Sequence, residues 1–329
     1  MLLKSRLFPA IAGAIALAFS EPAPALEKFV YGLSWLPQAE HCGFNQGKAK
    51  SLYEAAGLDV ELYPGGPGIN MAQLVAAGKV DAGMGNALTT LNMRNNGIPG
   101  VTVAAIFQKS PQTLVAHPDP ALKTLADLKS RKIAVANFSR TQFWLWLKTA
   151  HGFDDAQLRP YSYSPATFIA DKQLVQQGYI TEDEFFIGKA LGGPLQIFFL
   201  ADYGYPDYAT TIFTTEAVIE KRRDALQRFV EVSIKGWVEC LRGDPAPAFE
   251  AIRAAHKEQT LELSAFKIAQ IKKLQIVEGG DAATLGIGAM TDERWKAIFE
   301  VMSKAGAYPP TLDHKKAYTL GFVNKKLGL

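Results

Sequence analysis

The sequence of 329 residues contains very little cysteine, and Cys42 and Cys240 are its only two. Two thiols exclude a framework of several disulfides and any metal site built mainly from cysteine. Two cysteines this far apart in a long chain are expected to be unpaired, although an oxidising compartment would allow a bond if their Cα atoms came close enough. The fold is therefore expected to depend on packing rather than on a set of crosslinks.

Neither positive nor negative charge is in large excess. The chain has 35 Lys and Arg against 32 Asp and Glu, which gives a formal charge of +3. Its densest basic segment, Lys221-Arg222-Arg223, is followed at once by Asp224 and is interpreted as the exposed start of a helix. Proteins that bind nucleic acid usually present a basic face or stripe. Nucleic acid is therefore not expected as a partner of this chain.

Only the N-terminus carries a long apolar run. A short basic region with Lys4 and Arg6 precedes the uncharged run 7–19, which is shorter than the about 20 residues of a membrane-spanning helix. Small residues around Ala25 then resemble a signal-peptidase site. We predict a signal peptide, residues 1–25, cleaved after Ala25 to leave a protein free in the periplasm. The alternative, a buried N-terminal helix, fits the prolines of this segment poorly.

Catalytic and metal-binding signatures are missing as well. The sequence has no HExxH, no CxxC, no GxSxG turn of a serine hydrolase and no GxxxxGK[ST] phosphate loop. Its five histidines are scattered, and no two of them have the i,i+4 spacing of metal ligands on one helix face. We therefore predict no catalytic residue, no metal site and no cofactor. These absences favour a binding protein over an enzyme.

What the sequence does contain is a regular alternation of short apolar segments and helical stretches. Strands are predicted at 29–33, 59–63, 80–85 and 101–107, separated by helices at 43–56, 70–77 and 88–95. A second series begins near Leu114, with a strand at 132–136, a helix rich in aromatics from Phe143, a helix ending near Leu191 and a strand at 197–200. From residue 219 the pattern is mostly helical, over 229–241, 248–256, 263–274 and 292–305. Such alternation predicts an α/β fold with mainly parallel sheets flanked by helices.

Two segments, 108–114 and 202–208, are interpreted as connections between two lobes. We predict that lobe I comprises residues 26–110 and 206–329, and that lobe II comprises residues 111–205. Open α/β sheets bind their ligands outside the carboxyl ends of the strands. The loops that follow the predicted strands are therefore the place to look for a binding site.

These loops supply the candidate ligand-binding residues. After the first strand, Trp35 is expected either to stack on a planar ligand or to belong to the core, and His41 and Phe44 follow it. After the second strand, a glycine-rich turn either lets the backbone approach a ligand or is simply a tight turn. The other candidates are the glycines of this turn and polar residues beside later strands, namely Gly65, Gly66, Gly68, Asn86, Gln108, Asn137 and Arg140.

Short motifs spread over the chain form one combined pattern. They include Trp35-x-Pro37, Gly43-Phe44, and the segments 53–60, 64–68, 74–83, 125–135 and 229–237. This pattern resembles the periplasmic solute-binding proteins of ABC importers, nearest to the branch with receptors for thiamine-pyrimidine precursors, riboflavin, taurine, sulfonates and nitrate. The resemblance covers essentially the whole mature chain. It implies a type II two-lobed fold, a monomer that closes by a hinge on a ligand in the interlobe cleft, and delivery of that ligand to a permease.

The segment 179–184, Tyr-Ile-Thr-Glu-Asp-Glu, is similar to a Tyr-Leu-Thr-Asn-Glu-Pro segment of the pyrimidine-precursor receptors. In those receptors aromatic side chains sandwich the ring, and the Tyr and Glu of this segment contact it. The resemblance therefore implies Tyr179 as a wall of the site and Asp183 as a hydrogen-bond acceptor. Asp183 is one methylene shorter than the family's Glu, and Glu184 replaces the proline. A planar heteroaromatic ligand is implied, while its identity is left open.

Two other functions stay open. The same fold occurs in the yeast-type thiamine-pyrimidine synthase, which consumes its own histidine but carries a cysteine-rich iron motif that two cysteines do not provide. A receptor for taurine, an alkanesulfonate or nitrate would instead use concentrated donors such as Asn137, Ser139 and Arg140. Aromatic residues favour a flat, partly apolar ligand, and they are Trp35, Phe44, Phe138, Trp144, Tyr163 and Tyr179.

Overall fold

The computed structural model describes residues 25–161 and 164–329. The predicted signal peptide up to residue 24, and Tyr163 among the aromatic candidates, lie outside the described residues. Within the described ranges, no helix is long and apolar enough to cross a membrane.

The first sheet contains the first four strands of the chain and the last one. They are β1 (Glu27–Gly32), β2 (Leu58–Tyr63), β3 (Ala82–Gly85), β4 (Gly100–Phe107) and β10 (Ala209–Thr215). Their order in space is β2-β1-β3-β10-β4. β1 pairs in parallel with β2 and β3, whereas β10 runs antiparallel to both of its neighbours. All strands except β10 therefore point the same way, as predicted for a mainly parallel sheet.

The second sheet repeats this plan with the strands in between. They are β5 (Gln112–Ala116), β6 (Ile133–Val135), β7 (Leu158–Pro160), β8 (Val175–Tyr179) and β9 (Gln196–Phe199). Their order is β7-β6-β8-β5-β9. β6 is parallel to β7 and β8, and only β5 is antiparallel to its neighbours.

Helices flank both sheets. In the part of the chain around the first sheet they are α1 (Cys42–Ala49), α2 (Leu52–Ala55), α3 (Met71–Ala76), α4 (Ala87–Asn95), α8 (Glu216–Arg242), α9 (Ala246–Ala255), α10 (Leu261–Lys273), α11 (Ala282–Leu285) and α12 (Asp292–Lys304). Along the second sheet they are α5 (Phe143–His151), α6 (Ala166–Ala170) and α7 (Asp183–Leu191). We call each sheet with these helices the first unit and the second unit. Two α/β layers flanked by helices confirm the predicted fold class.

The structure corrects two local predictions. The helix predicted at 43–56 is two helices, because Ser51 has a φ of 53° and interrupts it. Strands β5, β7, β8 and β10 were not predicted, and in β5 and β10 buried Gln and Thr side chains interrupt the apolar run.

The basic segment 221–223 lies at a kink in α8. Arg222 has non-helical backbone angles, and two helices meet there, which agrees with the predicted helix start. The side chain of Arg222 forms ion pairs with Glu27 and Asp81.

The two units are joined by two connections that run side by side. One leads from β4 to β5 and the other from β9 to β10. At the first sheet Phe107 pairs with Ala209, and at the second sheet Thr113 pairs with Phe199. The guanidinium of Arg294 in α12 donates to the carbonyl oxygens of Gln108 and Pro206, one in each connection. A single side chain therefore holds both connections together.

Cys42 and Cys240 form a disulfide, so the expectation that they are unpaired is wrong. The bond joins α1 to α8, and the two Cα atoms lie 6.2 Å apart. The physical reason is a close helix contact, since a Cβ on Gly236 would overlap the carbonyl oxygen of Gly43. Glycines at this crossing bring the two backbones near enough for the thiols to meet.

Candidate functional site

The loop after β1 lies against the glycine-rich turn after β2. The amide of Gly65 donates to the carbonyl oxygen of partly exposed Trp35 at 3.2 Å, and a Cβ at Gly65 would overlap Leu33. The Gly65 N–H therefore serves the fold and is not free for a ligand, contrary to the expectation for the whole turn. Gly66 and Gly68 have positive φ values, and Gly68 is exposed, so ligand contact by these two stays a prediction.

Phe44 belongs to the core and does not line a cleft. Its ring lies 4.7 Å from that of Tyr31 and 6.3 Å from that of Phe229, between centroids, and meets Trp237 edge-on. The side chain is completely buried. The alternation of the sequence did not distinguish this residue from its neighbours because the 3-10 turn 39–41 and α1 are buried on most sides.

Of the predicted site residues, Asn86 contacts the second unit and Gln108 lies in the first connection. Asn86 caps α4 by accepting from the amide of Thr89, and its Nδ2 donates to Oε1 of Gln142 in the second unit at 3.3 Å. Gln108 is buried in the first connection and donates to the carbonyl oxygens of Ala105 and Ala289. Its Oε1 has no hydrogen-bond partner among the described residues.

The strand-to-helix junction after β6 presents polar atoms of mixed exposure. Asn137 and Phe138 are exposed, whereas Ser139 is buried. In the described part of the chain, Oγ of Ser139 and Nε of Arg140 have no hydrogen-bond partner. Buried polar groups are normally hydrogen-bonded, so such atoms indicate a place where a ligand can complete the bonds.

Tyr179 at the end of β8 is exposed, whereas Asp183 at the start of α7 is buried. Tyr179 is 39% exposed, as a wall of a site must be in the absence of ligand. Asp183 is buried, and its Oδ2 accepts from the amide of Tyr179 at 2.5 Å and from the hydroxyl of Thr113 at 3.4 Å. Burial raises the pKa of Asp183 to about 7. Asp183 therefore shapes the turn that carries Tyr179, and a direct ligand contact by Asp183 stays a prediction.

A buried ionic cluster joins the two units, and sequence reasoning missed it. Glu40 is 3% exposed, and its Oε1 accepts from the hydroxyl of Thr181 at 2.6 Å. Its Oε2 accepts from Nζ of Lys267, at 3.1 Å, and Nζ also lies 3.5 Å from Oε1 of Glu182. We call these four residues the Glu40–Lys267 cluster. Burial raises the pKa of Glu182, while the charge of Lys267 acts in the opposite direction.

His41 lies close to this cluster in a neutral form. Burial, together with the positive charge of Lys267, lowers the pKa of His41 to about 3. Its Nδ1 has no hydrogen-bond partner in the part of the chain that the structure describes. A neutral imidazole with a free nitrogen is suited to bind a polar ligand edge, and it carries no charge at neutral pH.

A second missed residue, Asp207, lies in the connection from β9 to β10. It is 2% exposed, and its Oδ2 accepts from the hydroxyl of Tyr205 at 3.4 Å. Burial raises the pKa of Asp207 to about 7, and the charge of Arg294 opposes this change. The hydroxyl of Tyr179 is buried although the residue as a whole is 39% exposed, and this burial raises its pKa, followed by the charges of Glu40, Asp207 and Glu182. The electrostatic surroundings of this hydroxyl are therefore negative.

The cavities elsewhere on the surface do not involve the predicted site residues. Cavities of about 200 and 530 Å³ are lined by residues such as Arg94 and Leu312 or Arg242 and Leu329, none of them a predicted site residue. Within residues 25–161 and 164–329, no group of three or more His, Cys, Asp or Glu side chains is arranged to hold a metal ion. The arrangement at the ends of the strands can hold a polar ring, but it shows no nucleophile–base pair.

Two sheets of the same topology, joined by paired connections and meeting through polar side chains, define the class of two-lobed α/β binding proteins. The comparisons with known proteins agree. Residues 38–248 match the family described as "NMT1/THI5 like". The chain belongs to this family.

Known relatives extend over almost the whole chain. It is 24% identical over 313 residues to the riboflavin-binding protein RibY of Chloroflexus aurantiacus, covering 91% of this chain and 87% of that protein. It is 22% identical over 322 residues to a Haemophilus influenzae protein named for thiamine biosynthesis, covering 92% and 95%.

Solved structures share the fold at lower identity. The periplasmic aliphatic sulphonate binding protein SsuA of Escherichia coli has a TM-score of 0.68 and 15% identity, covering 89% of this chain and 92% of that one. The desulfurization enzyme DSZB has a TM-score of 0.57 and 14% identity, covering 92% and 99%. The fold is therefore that of periplasmic binding proteins, and its neighbours include one enzyme.

Proposed function

We propose that this protein is an extracytoplasmic receptor that captures one small planar solute and delivers it to the permease of an ABC importer. Lobe I would comprise residues 26–110 and 206–329, and lobe II residues 111–205. The proposal includes export with cleavage after Ala25, a monomeric receptor and release of the ligand unchanged. Nucleic acid and cofactors have no place in it.

The exposure of Tyr179, with negative charge acting on its hydroxyl, is the observation that carries the proposal. The ring offers a flat apolar face. The charges of Glu40, Asp207 and Glu182 make the surroundings of its hydroxyl negative, and Asp207 has an oxygen without a partner among the described residues. A heteroaromatic ring that stacks on Tyr179 and presents N–H groups to these carboxylates satisfies both features, because hydrogen bonds to charged acceptors contribute about 1.5–3 kcal/mol each.

The names of the relatives support a planar ligand. A riboflavin-binding protein and a protein of thiamine biosynthesis are both concerned with nitrogen heterocycles. The structure does not reproduce every part of the expected site, since Phe44 lies in the core and Asp183 bonds to its own chain. The aromatic wall thus depends mainly on Tyr179 and on Trp35. Ligand contact by Trp35 remains a prediction.

A receptor for a sulfonate or nitrate is the second candidate. The unpartnered Ser139 Oγ and Arg140 Nε favour it, and SsuA has the same fold. The negative charge that acts on the Tyr179 hydroxyl would, however, disfavour an anion at that place. We therefore rank it below a heteroaromatic ligand.

A thermal-shift screen of the mature chain separates the two candidates. The panel contains aminopyrimidines of the thiamine-precursor type, riboflavin, taurine, an alkanesulfonate and nitrate. We expect a heteroaromatic compound to raise the melting temperature, since a ligand at one hundred times its Kd stabilises by about 2.7 kcal/mol. Calorimetry should give one site, and mass spectrometry should recover the ligand unchanged.

Other outcomes of this screen decide against the proposal. A shift with taurine, the sulfonate or nitrate alone would replace it by the second candidate. Conversion of a bound compound into a product would instead support an enzyme, as in the neighbour DSZB.

A further inference from the structure

Asp207 is a buried carboxylate that the fold itself does not satisfy. Among the described residues its Oδ1 has no hydrogen-bond partner, and its Oδ2 has only the 3.4 Å contact with Tyr205. An uncompensated carboxylate inside a protein costs several kcal/mol. A buried acceptor without a partner indicates a place where the donor of a ligand can complete the hydrogen bond.

The nearest cation does not neutralise Asp207. Arg294 donates to the carbonyl oxygens of Pro206 and Gln108, lies over the ring of Tyr208 and is 4.0 Å from Oδ2 of Asp281. In the described ranges no ion pair joins Arg294 to Asp207. The guanidinium is thus engaged with the two connections.

The groups that face Asp207 come from every neighbouring element. Its charge contributes to the raised pKa of Tyr205 beside it, of Tyr179 at the end of β8 and of Tyr308 after α12, in each case after burial as the larger cause. The amide of Ala87 at the start of α4 donates to the carbonyl oxygen of Tyr208, the residue that follows Asp207, at 3.1 Å. Asn86, the cap of the same helix, is a predicted site residue. Asp207 therefore lies among the residues of the candidate site.

We propose that Asp207 determines the ligand class by accepting a hydrogen bond from an amino or protonated ring nitrogen of the bound solute. This inference rests on the proposed function and deepens it. Asp207 lies in the connection between the two units, beside the start of α4, so in this proposal a ring held between Tyr179 and Asn86 turns its edge toward it. The receptor then distinguishes a ring that carries a donor from an equally flat ring that does not, since the latter leaves the carboxylate unpaired.

The test compares 4-amino-2-methylpyrimidine with its 4-methoxy counterpart, by calorimetry, on the wild type, Asp207→Asn and the control Asp202→Asn. Asp202 is an exposed carboxylate in the same connection. We expect the wild type and the control to prefer the amino compound by at least tenfold and Asp207→Asn to lose most of this preference. If the wild type binds the amino compound and Asp207→Asn keeps the full preference, the inference alone is wrong. If the wild type binds only sulfonate or nitrate, both the inference and the proposed function fail, whereas binding of riboflavin but of neither pyrimidine would overturn the inference alone.

A measurement without ligand gives a second readout. Burial raises the pKa of Asp207 from an ordinary 3.8 to about 7, so the folded protein holds a proton that the unfolded chain has lost between these values. Stability is therefore lost as the pH rises through this window. We expect Asp207→Asn to melt higher than the wild type at pH 8.5 and nearly equal to it at pH 4.5. A lower melting temperature of Asp207→Asn at pH 8.5 would show a structural role and overturn the inference.

Discussion

Two buried aspartates show how residues of one type differ by their partners. Asp183 and Asp207 are both buried, and burial raises the pKa of each to about 7. Oδ2 of Asp183 has two donors from its own chain, whereas Oδ1 of Asp207 has none among the described residues. The resemblance to known receptors selected Asp183, because a motif identifies a position and not the direction of its side chain. Asp207 belongs to no motif, and it was identified only in the structure, where its Oδ1 has no hydrogen-bond partner among the described residues.

Asp183→Ala should lower the free energy of unfolding by about 1–3 kcal/mol, because the amide of Tyr179 and the hydroxyl of Thr113 lose their acceptor. Urea denaturation at pH 5.5 measures this loss while the raised pKa keeps the carboxyl mostly neutral. The loss should shrink toward pH 8.5, where the wild type must bury a charge. Glu184→Ala, at an exposed neighbour, is the control and should change stability little. Equal losses for both variants would argue against a structural role of Asp183.

Tyr179→Ala should weaken binding of the best heteroaromatic ligand at least tenfold, because the exposed ring is lost as a stacking face. Calorimetry gives the affinity, and the melting temperature without ligand should stay close to that of the wild type. Phe186→Ala removes another exposed aromatic from the following helix and serves as the control. Unchanged affinity of Tyr179→Ala would remove Tyr179 from the site.

Among the secondary-structure elements, β1 to β3 could be predicted because each is followed by a helix with its own period, and β4 because its residues are almost all apolar. β5 and β10 could not, since buried Gln and Thr side chains interrupt their apolar runs. Each of these two runs against the other strands of its described sheet. The two strands that receive the connections were thus among those that the sequence did not predict.

The interface between α7 and α10 permits a test of buried against exposed ion pairs. Lys267→Met should destabilise the protein by about 3–5 kcal/mol, because Glu40 and Glu182 lose their buried cation. Lys189→Ala breaks the exposed pair with Glu262 on the same two helices and should cost within about 1 kcal/mol. Thermal and urea unfolding of both variants measure the difference.

A third variant identifies the cause of that loss. Glu40→Gln in the Lys267→Met background should recover part of the stability, because it removes one of the two unpaired carboxylates. Equal stability of Lys267→Met and Lys189→Ala would contradict the assignment of this cluster as a buried contact between the units.

For the molecule as a whole, the sequence indicated loops of the candidate site but not the buried groups beside them. Trp35 and Asn86 were selected because they follow strands of one parallel sheet, and Tyr179 because its segment resembles that of known receptors. Ligand contact by these three residues stays a prediction. Lys267 reaches Glu40 from 227 positions away, and only the packing of the C-terminal helices brings them together. Such contacts depend on tertiary structure, for which a single sequence has no local pattern.

Removal of the Cys42–Cys240 disulfide should lower the free energy of unfolding by about 2–5 kcal/mol, because the bond closes a chain segment with a sequence separation of 198. The double variant Cys42→Ser/Cys240→Ser, compared with the oxidised wild type by thermal unfolding, measures this loss. A melting temperature unaffected by the exchange would contradict a stabilising bond.

The paired connections also limit how the receptor can signal that it is loaded. The two connections begin at paired residues of the first sheet and end at paired residues of the second sheet, so together they define an axis. The guanidinium of Arg294 binds both connections near one end. A lobe attached along an axis can rotate about this axis, whereas translation or twisting would stretch one connection relative to the other. We therefore expect the protein to have essentially one mechanical coordinate, an angle. Asp207 lies on that axis, so its bond to a solute and the angle presented to a distant membrane protein would be two expressions of the same event.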